Sequence, residues 1–119
     1  MTHQGSSDPS SSRYLRTTQL AYSIAKQLVP TYAHPKSPHR FTQKQLVACV
    51  LLADYFKMSH RAFTDWLKVT DQICEALELD QIPNHSTLSR TKQRLGKAKL
   101  RELKQQFAQS EKTTGKTVL

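Results

Sequence analysis

The chain has 119 residues, room for one domain with tails, and its 18 Lys and Arg against nine Asp and Glu give a net charge of +9 that points to a polyanionic partner. Its two cysteines, Cys49 and Cys74, lie in apolar helical patterns without paired Cys or Cys/His spacing, so they read as buried free thiols rather than as a disulfide framework or a zinc site. The sequence begins without an apolar signal core, and its longest apolar run, 46–53, is too short to span a bilayer; a cytoplasmic protein in a reducing compartment, without membrane contact, is expected.

Residues 1–16 read as a disordered tail, because 1–12 are Ser-rich and carry no apolar pattern. Residues 17–32 read as an N-terminal helix and linker. Leu20, Ala21, Ile24, Ala25 and Leu28 recur at helical spacing there, and Pro30 ends the pattern. Pro35 and Pro38 mark 33–40 as a loop.

A helical domain is expected over 38–110. Thr42 followed by Gln45 fits a capping box, and Phe41 with Leu46 fits a hydrophobic staple. The helix they start, 42–57, is apolar nearly all round between Leu46 and Ala53, so it needs neighbours on every side and belongs at the centre. Ser59 can cap a helix over 60–69 that faces inward with Phe63, Trp66 and Leu67. Thr70 or Asp71 can start another, packed through Ile73, Leu77 and Cys74, and 81–84 form a short link.

Residues 83–96 (PNHSTLSRTKQRLG) then read as a short helix with marked ends. Pro83 keeps the residue before it extended, Asn84 or Ser86 can accept the first free amides, and Gly96 supplies a left-handed terminus. At about 100° per residue Leu88 and Leu95 point one way with Thr91 beside them, and Ser86, Arg90, Gln93 and Arg94 point the other. A helix with so little apolar surface can anchor to a core but cannot build one. The helix after it, 97–110, carries Leu100, Leu103 and Phe107 on one stripe and Lys97, Arg101 and Lys104 on another. Residues 111–119 have no anchor, although 117–119 look like the start of a strand. The expected class is all-α: a small bundle of about five helices in a helix-turn-helix-like arrangement.

The charge is unevenly placed: +5 over 1–53, −3 over 54–80 and +7 over 81–119. Seven of the fifteen residues from Arg90 to Lys104 are basic, opposed only by Glu102. A solvated helix face usually mixes signs, so this run favours contact with double-stranded DNA over the plainer reading. The candidate contact residues are Ser86, Thr87, Ser89, Arg90, Gln93 and Arg94, for bases or phosphates, with Lys97, Lys99 and Arg101 suited to phosphates.

Other groups suggest less. His3, His34, His39, His60 and His85 are scattered, with no metal constellation, and His85 reads as an exposed loop residue able to touch a phosphate. Asp54, Asp65 and Asp71 fall on separate short helices and read as solvated surface rather than a metal-binding set. Trp66, Phe63 and Tyr55 read as core packing rather than a stacking platform. No cofactor is expected.

Three stretches carry a resemblance: 41–46 (FTQKQL), then 55–61 (YFKMSHR), then 83–90 (PNHSTLSR) with Arg94 and Leu95. They resemble the N-terminal region of bacterial insertion-sequence transposases of the DDE type, in which an apolar helix is followed by a Y-x-x-x-S/D-Y/H-R turn and later by P-x-H-S/T-T-L-x-R. The resemblance covers about 38–96. It implies a helical domain that binds the terminal inverted repeats of a mobile element, followed by a catalytic domain whose three carboxylates hold divalent metals. Residues 115–119 resemble the approach to the first catalytic strand, but no position matches the catalytic acids. What the resemblance implies for this chain is therefore end recognition without cleavage, in a truncated or frameshifted transposase, with partners in transposon ends, a second copy or a full-length enzyme, and a place at the nucleoid. The alternative is a stand-alone helix-turn-helix regulator or protein-interaction module.

Overall fold

A computed structural model describes the backbone of residues 9–29 and 41–118 and the side chains of 13–29 and 41–110. It contains six helices, α1 (Pro9–Leu28), α2 (Gln43–Tyr55), α3 (His60–Lys68), α4 (Asp71–Ala76), α5 (His85–Leu95) and α6 (Lys97–Val118), with no strand among the described residues. The all-α expectation holds.

The centre is α2. Every residue from Gln45 to Ala53 is buried, which is possible only because α1, α3, α5 and α6 all pack on it. Each fully buried Leu or Val side chain here contributes about 1.5–3 kcal/mol relative to exposure. Burial also pushes the Cys49 thiol up to about 12, with a smaller push from Cys74, so Cys49 behaves as a small apolar side chain and not as a nucleophile. Both thiols are free, and that of Cys74 donates to the Leu67 carbonyl (3.3 Å).

The start of α2 also ties the bundle together. The capping box is present: the Thr42 amide donates to Gln45 Oε1 (2.9 Å) and the Gln45 amide to Thr42 Oγ1 (3.1 Å). Phe41 is half-buried against the core. The Gln45 side chain does more than the capping pattern predicts, because its amide group donates to the carbonyls of Leu77 (3.0 Å) and Glu78 (2.7 Å) at the end of α4. From the other side the Tyr22 hydroxyl of α1 donates to Glu78 Oε1 (2.9 Å), and burial together with Glu78 raises the Tyr22 pKa to about 12. One polar residue thus joins three helices. Ser59 caps α3, accepting from the Ala62 amide (3.1 Å). At α4 Thr70 occupies the cap position, but its hydroxyl turns back to the Trp66 carbonyl (2.5 Å) and leaves the helix start without a side-chain cap.

Three expectations change. Residues 1–8 and 30–40 lie outside the described residues, but 9–16, read as tail, belong to α1. Tertiary packing overrides the weak local pattern: Tyr14 sets its ring edge-on to Phe56 (5.2 Å) and Trp66 (5.9 Å), and Thr17 and Thr18 are buried. Pro9 suits the first helical position, where its missing amide proton would be unpaired anyway. α1 also shares the core of α2 and α6, so the N-terminal helix and the 38–110 region pack as one body. At the other end 117–118, read as the start of a strand, continue α6: with no partner strand among the described residues, the backbone groups bond along the helix instead.

Gln45→Ala should therefore cost more than an ordinary cap. Loss of the box and of two buried acceptors' partner predicts about 2–4 kcal/mol, read as a lower urea midpoint at unchanged slope. Thr42→Ala, which removes only half of the box, should cost about 1 kcal/mol.

Candidate nucleic-acid interface

α5 starts as its sequence specifies. Asn84 is extended and its Oδ1 accepts from the Ser86 amide (2.8 Å), which settles the choice of cap in favour of Asn84. Leu88 and Thr91 are buried, Leu95 is half-buried, and the Thr91 hydroxyl donates to the Thr87 carbonyl (2.8 Å), so the residue's polar atom is satisfied inside. The helix stands on α2 and α3 through this narrow stripe.

The opposite face is exposed at Ser86, Arg90, Gln93 and Arg94, as expected, and at Lys92 as well. Arg90 and Arg94 are one turn apart, about 6 Å along the axis. Of the other nominated residues, Lys97 and Arg101 are exposed on the first turns of α6, whereas Thr87 is half-buried. Lys99 is partly covered and pairs with Glu102 (3.4 Å). Lys104 pairs with Asp54 across the bundle. Arg90, Lys92, Arg94, Lys97 and Arg101 therefore remain as exposed cations, with no ion pair among the described residues.

Ser89 has a different role from the one its position suggests. Its hydroxyl lies 2.9 Å from His60 Nδ1, joining α5 to the first residue of α3. This ties Ser89, half-buried, to α3 and helps to orient α5. His60 itself is half-buried, and its pKa is lowered by burial first, then by the charges of Lys92 and His85, against an opposing pull from Asp54. His85 is the first residue of α5 and half-buried rather than an exposed loop residue, because α5 begins directly after Asn84. The His60–Ser89 pairing is not visible from periodicity.

Gly96 separates α5 from α6. Its φ is positive, 85°, but its ψ is 160°, so it is not the left-handed helical residue expected. That extended region is essentially open to glycine alone. Here it joins α5 to α6 within one residue: the Gly96 amide donates to the Lys92 carbonyl (3.3 Å), and its carbonyl accepts from the Leu100 amide (3.1 Å). No neighbouring atom lies within 4 Å of an added Cβ, so backbone conformation rather than space demands glycine.

The remaining described groups do not cluster. Asp54 pairs with Lys104, Asp65 with Lys68 (3.5 Å), and Asp71 sits on the first turn of α4, so the three carboxylates do not converge. Among the described residues no three His, Cys, Asp or Glu side chains are placed to hold a metal. Phe63 is buried, and Trp66 is half-buried among Tyr14, Phe56 and Phe63, as core packing predicts. Tyr55 is 45% exposed and lies against Phe56 and Phe107. No described helix is long and apolar enough to cross a membrane. No protein family, characterised protein or solved structure matches the chain.

Two outcomes follow from this geometry. Gly96→Ala should cost about 1–3 kcal/mol, because alanine must either strain or re-aim the junction. The folded His60 holds its proton less readily than an unfolded one does. Its contribution is therefore complete above the unfolded value of about 6.5 and declines as the pH falls below that. The urea midpoint should drop from pH 7 to pH 5, and drop less in His60→Asn.

Proposed function

We propose that this chain binds double-stranded DNA, with α5 as the contact helix and the start of α6 as a phosphate-binding flank. The observation that carries this is the dominance of one sign on the exposed face: Arg90, Lys92, Arg94, Lys97 and Arg101 stand within twelve residues, without ion pairs among the described residues, and the one acid beside them, Glu102, is paired with Lys99. Leaving five cations unpaired in so short a stretch gains nothing for folding, whereas each one placed on a phosphate releases a counterion. α5 has 11 residues, about 16 Å of helix, and its outward residues are of the kinds that read a major groove. Arg90 and Arg94 can take guanine or phosphate, and Gln93 can take adenine.

The biological role we propose rests on the resemblance in 41–46, 55–61 and 83–95: recognition of transposon terminal inverted repeats as the N-terminal part of a DDE-type transposase, at the nucleoid. In this reading α3 and α5, which pack on each other, carry the helix-turn-helix-like unit; α4 precedes α5 in the chain without packing on it, and eight residues (77–84) join the two, where the compact motif uses three or four. A second copy or a full-length transposase is the proposed protein partner. Divalent metals and strand cleavage belong to the catalytic domain of that family.

A duplex titration at several salt concentrations tests this. Arg90→Ala and Arg94→Ala should each weaken binding by about 1–3 kcal/mol, and wherever a phosphate contact is lost the salt slope should fall by about 0.9. Equal binding by wild type and both variants would remove α5 from the interface. Preference for the inverted repeats flanking the gene over unrelated duplex supports end recognition; preference for an operator beside its own promoter would point to a regulator instead.

A further inference from the structure

The turn between α2 and α3 contains a residue that the backbone alone would not select. Lys57 has φ 59°, in the left-handed region. It occupies the residue after the α2 cap in a Schellman ending: the Met58 amide donates to the Ala53 carbonyl (2.8 Å) and the Lys57 amide to the Asp54 carbonyl (3.2 Å). Glycine or asparagine takes this conformation with less strain. Among the described residues the one other non-glycine residue with positive φ, Glu78, ends α4 in the same way, and its strain has a visible offset: Gln45 binds its carbonyl and Tyr22 its carboxylate. The Lys57 side chain is exposed and has no hydrogen bond or ion pair among the described residues.

Its surroundings are cationic. Three residues on, His60 opens α3 and is joined to Ser89 of α5, with Lys92 and His85 close enough to depress its protonation. Arg61 follows, exposed. The acids within reach are engaged: Asp54 with Lys104 of α6, and Asp65, one turn along α3, with Lys68. This turn is thus a second patch of uncompensated positive charge, fixed against the side of α5 by the His60–Ser89 pair.

We propose that Lys57 and Arg61 form a second phosphate-binding site, gripping the sugar–phosphate backbone that borders the groove occupied by α5, so that the protein straddles one edge of that groove. The inference rests on the DNA-binding reading above and extends it to an element outside 86–101. Side chains on such a site carry no sequence information; they fix how deep α5 sits and at what angle. The left-handed lysine is then a position where charge is kept at the expense of the backbone.

The two effects can be separated in one residue. Lys57→Gly should raise Tm by about 2–5 °C, since it relieves the positive φ, while weakening binding to a random-sequence 30-bp duplex roughly three- to tenfold at 0.1 M salt and lowering the salt slope by about 0.9. Lys57→Asn, which also tolerates this conformation, should behave alike, Lys57→Arg should retain binding, and Arg61→Ala should lose it to a similar extent. A merely structural role for Lys57 would move Tm and leave the slope unchanged. If Arg90→Ala and Arg94→Ala weaken binding but Lys57→Gly, Lys57→Asn and Arg61→Ala do not, the second site is wrong and the α5 interface stands. If the wild-type chain has no affinity for duplex, the reading beneath both is wrong.

Discussion

The all-round burial of α2 is the constraint on which the other helices depend. Nine consecutive residues, Gln45 to Ala53, have almost no solvent contact, so each side of this helix must be met by another element. α1, α3, α5 and α6 together meet these sides. Gln45 is the one polar member of the buried run, and its hydrogen bonds reach the far end of α4. A buried amide left without acceptors is costly, so the register of α4 against α2 is fixed by polarity as well as by shape.

α5 uses this scaffold without contributing much to it. Its inward stripe is Leu88 and Thr91 with Leu95 half-buried, and its outer face is free of apolar side chains. Such a helix would not form alone in water. Its orientation comes from three attachments: the stripe on α2 and α3, the His60–Ser89 pair, and the glycine-only backbone at Gly96. Because these lie on the inner side and at the end, the outward arginines can vary without disturbing the fold, which is the arrangement a recognition surface needs.

The two strained lysine and glutamate helix endings show how similar local geometry can serve different ends. Glu78 is held by Gln45 and Tyr22, and its conformation helps lock α1, α2 and α4 together. Lys57 has no comparable support; the link from this turn to α5 is made three residues on, by His60 and Ser89. The difference is legible only when the neighbours of each residue are known.

The sequence by itself determined the helical class, the capping box at Thr42 and Gln45, the burial of α2, the Ser59 cap and the two faces of α5. All of these depend on contacts within about one helical turn or on a run of apolar residues long enough to leave no ambiguity. It also placed Ser86, Arg90, Gln93 and Arg94 on the exposed face of α5, because a helix with two anchors has only one possible inner face. Tertiary structure decided the rest. Residues 9–16 are helical because Tyr14 finds Phe56 and Trp66, which lie over forty residues away in the chain. Ser89 faces His60 and Lys104 is paired with Asp54 because of side chains brought up by other helices, whereas Lys99 finds Glu102 within its own helix. Gly96 is extended rather than helical because α6 must leave at an angle set by its own packing on α1 and α2. Periodicity assigns a residue to a face; only the packed neighbour says whether its charge remains free.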